Sequence, residues 1–393
     1  MKRGRLAMFA KLRPVGSPVP KPQVVDDLLM PWDEHYTALY SGSGTEALSL
    51  GVKAAIAMKA GSDTPEVIIP AYGCPDLVAA IVAQDARPVL VDFAPDEPVM
   101  DEEGIRQALT ERTVAIIAVN FLGACERLKE LSRICSDNDL VLIEDSAQRF
   151  PPSSCSHGLA DFVVLSFGRG KPINLMGGGA LLFRRTEQSV VQSACADCSV
   201  LEMRTNIGWH IKRLLFNALL SRYIYPLLER APFLHVGETR FHPLEAIRVL
   251  ELPSSLLAAG VRAYFAREPL HLVYDRELSF LREAGWAFAG TIDAQDPTPR
   301  LRYALLAPNE NLRNQVVTEM NENGIGANIF YGRTLPEIMD AASIRVGGSG
   351  RYPNASNFAK RLITLPTHEG VGLSDISTII SVFERLASEH CND

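Results

Sequence analysis

Short, almost unbroken apolar runs alternate with stretches of helical periodicity between residues 45 and 185, and few folds accommodate that pattern. The runs lie at 67–69, where Pro70 ends the first, and at 87–92, 114–119, 140–143, 162–165 and 179–183. Between them, Ala47, Leu48, Val52, Ala55 and Ile56 recur at helical spacing over 45–60, and similar stretches occupy 75–84, 103–110 and 126–136. Strands that are apolar on both faces need cover on both faces, which helical crossover connections supply. The expectation is an α/β fold with a mostly parallel sheet flanked by helices. Ligands of such sheets sit at the carboxyl ends of the strands, so the polar residues just after each run carry the chemistry.

A chain of 393 residues is too long for one small core and suits two or three units. The division read from the sequence is an N-terminal arm at 1–30, a large α/β domain at 31–245 and a smaller C-terminal α+β domain at 246–393. The last holds a strand at 301–306, a helix at 311–323 stopped by Gly324, Ile325 and Gly326, and a strand at 328–331. An apolar run at 362–366 and a closing helix at 374–389 complete it, with Gly347, Gly348, Ser349 and Gly350 as a surface loop near the site.

Net charge is −7, which removes any general electrostatic case for nucleic acid or an anionic membrane as partner. The basic start (Lys2, Arg3, Arg5, Lys11, Arg13) lacks the apolar stretch of a secretory signal, and no segment reaches the roughly 18 uncharged apolar residues of a membrane span. The expected compartment is the cytoplasm. Seven cysteines scattered along the chain suit reduced thiols, and Cys195 with Cys198 is a C-x-x-C without a second pair, so no metal site is expected. An amphipathic helical insert at about 205–232 stands apart: Trp209, Leu214, Leu215, Leu219, Ile224 and Leu228 alternate with Lys212, Arg213, Arg222 and Arg230. It reads as an arm packing on a partner subunit or as an interfacial membrane anchor, the first being favoured because an anchor's apolar face has no other burial partner.

Four features fall at the ends of predicted elements. Ser43-Gly44-Thr45 opens the first helix, where free N–H groups and the dipole suit a phosphate, although such residues are more often simple caps. Asp145, directly after the 140–143 run, is placed to pair with a protonated pyridine nitrogen, and Gln148 to reach the phenolic oxygen of the same ring. Ser166 ends the 162–165 run and Lys171 follows in a glycine-rich loop; a lysine amine attacks a carbonyl only when deprotonated, which desolvation favours. Met176-Gly177-Gly178-Gly179 then permits close backbone approach beside that loop.

Taken in order, Ser43-Gly44-Thr45-x-Ala47-Leu48, Pro70-Ala71-Tyr72, Glu144-Asp145-x-Ala147-Gln148, Ser166-Phe167-x-x-x-Lys171 and Gly177-Gly178-Gly179-Ala180 resemble the DegT/StrS family. These are fold-type I pyridoxal-phosphate (PLP) enzymes, typically aminotransferases acting on nucleotide-linked keto sugars. The resemblance implies a PLP cofactor bound as a Schiff base on Lys171, with Gly44, Thr45 and Ser166 on its phosphate, Asp145 on the ring nitrogen and Gln148 on the ring oxygen. It implies that Arg240 reaches the neighbouring subunit's phosphate, hence a homodimer with shared active sites. Where the family usually stacks an aromatic on the cofactor this chain has Cys74, so either Tyr72 substitutes or a small thiol packs the ring. Pro172 stands where many members have Asn, Phe330 where a His precedes Tyr331, and Asn120 where another His stands, so Asn120, Phe330 and Tyr331 are the candidate substrate-side positions.

The activity implied is amino transfer from an amino acid, most often glutamate in the family, to a keto acceptor, with a nucleotide-linked keto sugar as first choice. Two alternatives stay open: PLP chemistry on a non-sugar carbonyl in secondary metabolism, and a catalytically idle regulator that binds PLP or a sugar nucleotide.

Overall fold

The computed structural model describes residues 10–23, 29–59, 63–229, 239–290, 296–338 and 351–390. The expected loop at 347–350, Arg230 and Cys391 lie outside the described residues, as does part of the N-terminal arm.

Strands β1 (Thr37–Ser41), β2 (Glu66–Pro70), β3 (Arg87–Val91), β4 (Thr113–Val119), β5 (Val141–Asp145), β6 (Phe162–Ser166), β7 (Gly179–Phe183), β8 (Ser199–Glu202) and β9 (Arg248–Glu251) form one sheet in the order 3-2-4-5-6-7-1-9-8. Neighbours from β3 through β6 are parallel, and β7 runs antiparallel to both β6 and β1. Side chains alternate between two cores, as the pleat requires. Val67, Ile69, Ile117, Ile143 and Val164 face helices α1 (Gly44–Met58) and α2 (Pro75–Val82). Ile68, Ile116, Leu142 and Val163 face the other way, against α3 (Glu102–Ala108) and α4 (Leu128–Asp137). Both faces are covered, which is why the strands read as unbroken apolar runs.

The insert contains α5 (Ile207–Leu219) and α6 (Tyr225–Glu229). The sheet draws on residues from both sides of position 245: β9 pairs with β1 and β8, and α7 (Ser254–Phe265) buries Leu256, Leu257, Val261 and Tyr264 against the second face. The smaller unit has an antiparallel sheet of β10 (Ala287–Phe288), β11 (Arg302–Leu306) and β12 (Leu362–Pro366), with α8 (Glu310–Glu322), α9 (Pro353–Arg361) and α10 (Leu373–His390). The strand expected at 328–331 is only a bridge between Asn328 and Thr364, because Phe330 takes a φ of 60° and turns the chain out of the extended conformation. Asp92, just past β3, caps α9 by accepting from the N–H groups of Asn354 (3.0 Å) and Ala355 (2.7 Å), which ties the two units together.

Residues 10–23 are strapped across both units. The Lys11 and Leu12 N–H groups donate to the carbonyls of Arg222 and Gly324, at 2.8 Å each. Arg13, 6% exposed, donates to the carbonyls of Gly16 and Leu220 and pairs with Glu369. The inner side of α5 faces this strap: Asn217 accepts from the Val19 N–H and donates to its carbonyl. The insert therefore packs on its own chain along one side. Its other side leaves Ile207, Ile211, Leu214 and Leu215 exposed.

Candidate functional site

The cleft forms where the parallel strands end. β5 delivers Asp145, β6 delivers Ser166, the chain after β2 delivers Cys74 and Asp76, and α1 brings Gly44 and Thr45; Gln148, Phe121 and Lys171 also line the cleft. α1 starts where it does because Ser43 accepts from the Glu46 N–H at 3.1 Å. Glu46, at N3, does not turn back to the cap. Its buried carboxylate accepts from the Arg248 N–H at 2.7 Å and pairs with the Arg248 guanidinium, locking the helix N-terminus to β9. Two glycines are obligatory. A Cβ on Gly44 would lie 2.7 Å from the Ser166 Cβ, and one on Gly179 would lie 2.6 Å from the Ser43 and Gly44 backbone.

Asp145 touches the open space of the cleft yet is surrounded by protein. Burial pushes its carboxyl pKa up, opposed by the Ala147 N–H and the nearby Lys171 charge. One oxygen accepts from the Ala147 N–H at 3.0 Å. Gln148 accepts from the Leu122 N–H at 3.0 Å and donates to the Tyr331 hydroxyl at 3.3 Å, so it links the large sheet to the smaller unit. Burial pushes the Cys74 thiol up to about 12, with Asp76 adding to the rise and Lys171 opposing it, so this position presents a neutral, compact thiol. Three non-glycine residues with positive φ flank the cleft: Leu122, whose N–H bonds to Gln148, and Met176 and Phe330 on the wall of the neighbouring groove. Strained backbone of this kind persists where the surroundings fix it, commonly at binding sites.

Of the residues singled out from sequence, Gly44, Thr45, Cys74, Asp145, Gln148, Ser166 and Lys171 share this one cleft, with Tyr331 at its edge through Gln148. Four do not join them: Phe330 lines the neighbouring groove and depression instead, and Tyr72, Asn120 and Arg240 lie outside the cleft. Tyr72 is fully buried behind the lining, ringed by Phe93, Phe121, Phe358 and Tyr331 at centroid separations of 5.4–5.9 Å. Asn120 is fully buried too. Its amide donates to Glu144 (2.6 Å) and Ser146 (3.2 Å), and its oxygen accepts from the Glu126 N–H (3.0 Å), so nothing is left for a substrate. Arg240 is exposed and lines a different depression with Asn328 and Phe330. Phe121 and Asp76 are wall residues that sequence reading missed; the signal for Phe121 was its place just past the β4 run, one residue beyond Asn120, and that for Asp76 its place two residues beyond Cys74.

The Tyr72 hydroxyl has no well-formed hydrogen bond, although the backbone of Tyr331 and Gly332 lies near it. Tyr72→Phe is therefore expected to leave cofactor content and turnover within about twofold and stability within roughly 1 kcal/mol, measured by absorbance and thermal melting. A large loss of cofactor would return Tyr72 to the binding site.

Beside the cleft, sharing Tyr331 and the glycine loop, lies a groove of 1000 Å3 walled by Trp209, Phe216, Met176 and Phe330. Cys195 and Cys198 are free thiols, and no group of three possible metal ligands occurs among the described residues. No helix of the described residues is long and apolar enough to cross a membrane.

The family model described as the DegT/DnrJ/EryC1/StrS aminotransferase family matches residues 32–204 and 259–384, leaving out the insert. A UDP-2-acetamido-2-deoxy-3-oxo-D-glucuronate aminotransferase of Pseudomonas aeruginosa is 31% identical over 37% of this chain, a match that spans only 40% of that relative's length. A dTDP-4-dehydro-2,3,6-trideoxy-D-glucose 4-aminotransferase of Saccharopolyspora spinosa is 24% identical over 90% of this chain and 85% of its own. The crystal structure of NtdA from Bacillus subtilis with bound cofactor PMP superposes with a TM-score of 0.65 at 16% identity, covering 90% of this chain and 74% of that one, which establishes the shared fold.

Proposed function

The chain belongs to the DegT/DnrJ/EryC1/StrS aminotransferase family, and on that premise we propose that it moves an amino group from an amino acid, with L-glutamate as donor, to a nucleotide-linked keto sugar. The observation that carries this reading is the convergence of Lys171, Asp145 and Ser166, from three separate strand ends and loops, on one cleft at the head of α1.

The residues present fit PLP. Gly44 and Gly179 let Ser166 and the glycine loop close on the head of α1, where a Cβ would strike protein, and that helix N-terminus suits a phosphate. Asp145 is a buried carboxyl whose raised pKa marks the lack of a full counter-charge, which a ring N–H cation supplies. Ser166 and Thr45 would hold the phosphate, Gln148 the ring oxygen, and Lys171 the aldehyde carbon through Nζ. When bound, the cofactor supplies a carbonyl that captures amines and an electron-poor ring that accepts charge from the donor's α-carbon. Lys171 Nζ, as a free amine, would take a proton from the donor's α-carbon and return it, acting as base and then acid. Asp145 would keep the ring nitrogen protonated. Phe121 and Cys74, both apolar in effect, exclude water from the reacting face.

The proposal includes a homodimer. The uncovered apolar side of α5 supports it, since a second chain would bury it. It also includes a cytoplasmic setting, in keeping with the six free cysteines among the described residues. A second reading, amination of a non-sugar carbonyl, draws on the groove, whose walls are mostly aliphatic and aromatic. The idle-regulator reading has no observation of its own, as the lysine, aspartate and serine are all in place.

The test is a visible spectrum of the purified protein before and after excess L-glutamate. A yellow protein that bleaches to the amine form of the cofactor is the expected result. A yellow protein indifferent to glutamate and to other amino acids would overturn the aminotransferase assignment.

A further inference from the structure

The groove beside Tyr331, about 1000 Å3 in volume, is not used by the reaction chemistry. α5 forms one of its walls and belongs to the stretch, 205–258, that the family model leaves unmatched. Trp209, Phe216 and Leu219 make that wall apolar. Three cations also line the groove, Arg169, Lys212 and Arg302, and no aspartate or glutamate does so among the described residues. In a chain of net charge −7 this is a local reversal of sign.

Arg302 is the cation most in need of a partner. It is 9% exposed, its Nη1 donates to the Thr364 hydroxyl at 3.2 Å, and its guanidinium lies 5.1 Å from the centre of the Phe330 ring. Its Nε has no hydrogen-bond partner, and among the described residues no ion pair to a carboxylate is made. The other deeply buried arginines are provided for: Arg13 has Glu369 and two carbonyls, and Arg313 has Glu310 and the carbonyls of Ala359 and Leu362. A guanidinium held out of water without an anion is costly, so its retention at the wall of a groove fits a site whose anion arrives from outside. Burial accordingly pulls the Arg302 pKa down to about 10.

We propose that this groove binds the acceptor, and that the acceptor carries an oxyanion, phosphate ester or carboxylate, on an aromatic or aliphatic body, the oxyanion seated on Arg302 and the body on Trp209 and Phe216. The term acceptor rests on the aminotransferase reading; the binding itself does not. Arg169, which lies 5.6 Å over the Phe216 ring, and Lys212 on the exposed face of α5 draw the anion in from the rim.

Isothermal titration of the cofactor-loaded protein with three probes tests it: thymidine diphosphate, phenylbutyrate and phenylbutanol. At least one of the two anions binds, and the uncharged alcohol binds more weakly than phenylbutyrate or not at all. Whichever anion is preferred identifies the source, a nucleotide-linked acceptor for the diphosphate and a carboxylated one for phenylbutyrate. Arg302→Met weakens the preferred anion by roughly 30-fold or more. Because Arg302 is buried and its loss could disturb β11, Lys212→Glu on the surface is the second variant, expected to weaken the same anion by roughly threefold or more. Failure of both anions to bind, equal binding of alcohol and anion, or wild-type affinity in Lys212→Glu would overturn the proposal. Glutamate bleaching reads the other claim separately: anion binding in a protein that does not bleach leaves the groove site standing and removes only its role in transamination.

Discussion

Lys171→Ala is expected to abolish turnover, by roughly a thousandfold or more, while leaving the fold and the Asp145 pocket intact. Lys171 lies in the loop between β6 and β7, and that loop is shaped by other contacts. The Leu175 and Gly177 N–H groups donate to the Phe167 carbonyl, and the buried Asn174 amide donates to the Ser17 carbonyl at 2.7 Å. Removing the lysine side chain takes away the only amine in the cleft lining among the described residues and disturbs none of those bonds. The variant should therefore bind PLP noncovalently, with the spectrum of the free aldehyde, melt near the wild-type temperature and transfer no amino group from glutamate. Added methylamine, a small free base, should restore a measurable part of the proton transfer. Wild-type-like turnover in this variant would refute the assigned mechanism.

Asp145→Asn is the second large effect, and it separates function from stability. The substitution keeps the shape and the contact with the Ala147 N–H but removes the charge that holds the ring protonated. Turnover is expected to fall on the order of 100- to 1000-fold, and cofactor to dissociate more readily. The stability of the cofactor-free protein should move the other way. The carboxyl pKa is raised in the folded chain, so the folded state binds the proton more tightly than the unfolded chain does. Stability is thus fullest below the ordinary carboxylate pKa and is lost as pH rises through the raised value. At neutral pH an amide at this position, which does not ionise, has no such loss. The apo variant should be more stable than apo wild type at neutral pH, with the gap closing toward acid. Thermal melts across pH read this directly; an apo variant that is less stable at neutral pH would show that the carboxylate is well compensated without the cofactor.

Much of the fold was legible because it depends on continuous apolar runs. The six runs correspond to β2 through β7 within a residue or two, since strands buried on both faces have no room for polar alternation. β8 and β9 were not legible for the opposite reason. All four positions of β8 are exposed and β9 buries only Leu250 well, so neither carries a burial pattern; β9 is placed by pairing with β1, and β8 takes its register from β9. The cleft residues were readable where identity and chemistry coincide, as at Lys171, Asp145 and Ser166. Asn120 and Tyr72 were not, because a polar residue or an aromatic at a strand end points to the ligand or away from it according to its neighbours. Here Glu144 claims the Asn120 amide, and four aromatic rings enclose Tyr72.

The strap at residues 10–23 bears on the order in which the molecule can be completed. These residues leave the ribosome early, but their seats are made late: Leu12 bonds to Gly324, Arg13 pairs with Glu369, and the His368 ring lies 2.9 Å from the Arg13 carbonyl. Domains form in the order of synthesis, so the large sheet can assemble while the strap waits. Its closure then marks the arrival of the C-terminal unit. A nascent chain halted before position 368 can join the strap to the insert through Leu220, Arg222 and Asn217, but it lacks the His368 and Glu369 contacts that fasten Arg13 to the C-terminal unit.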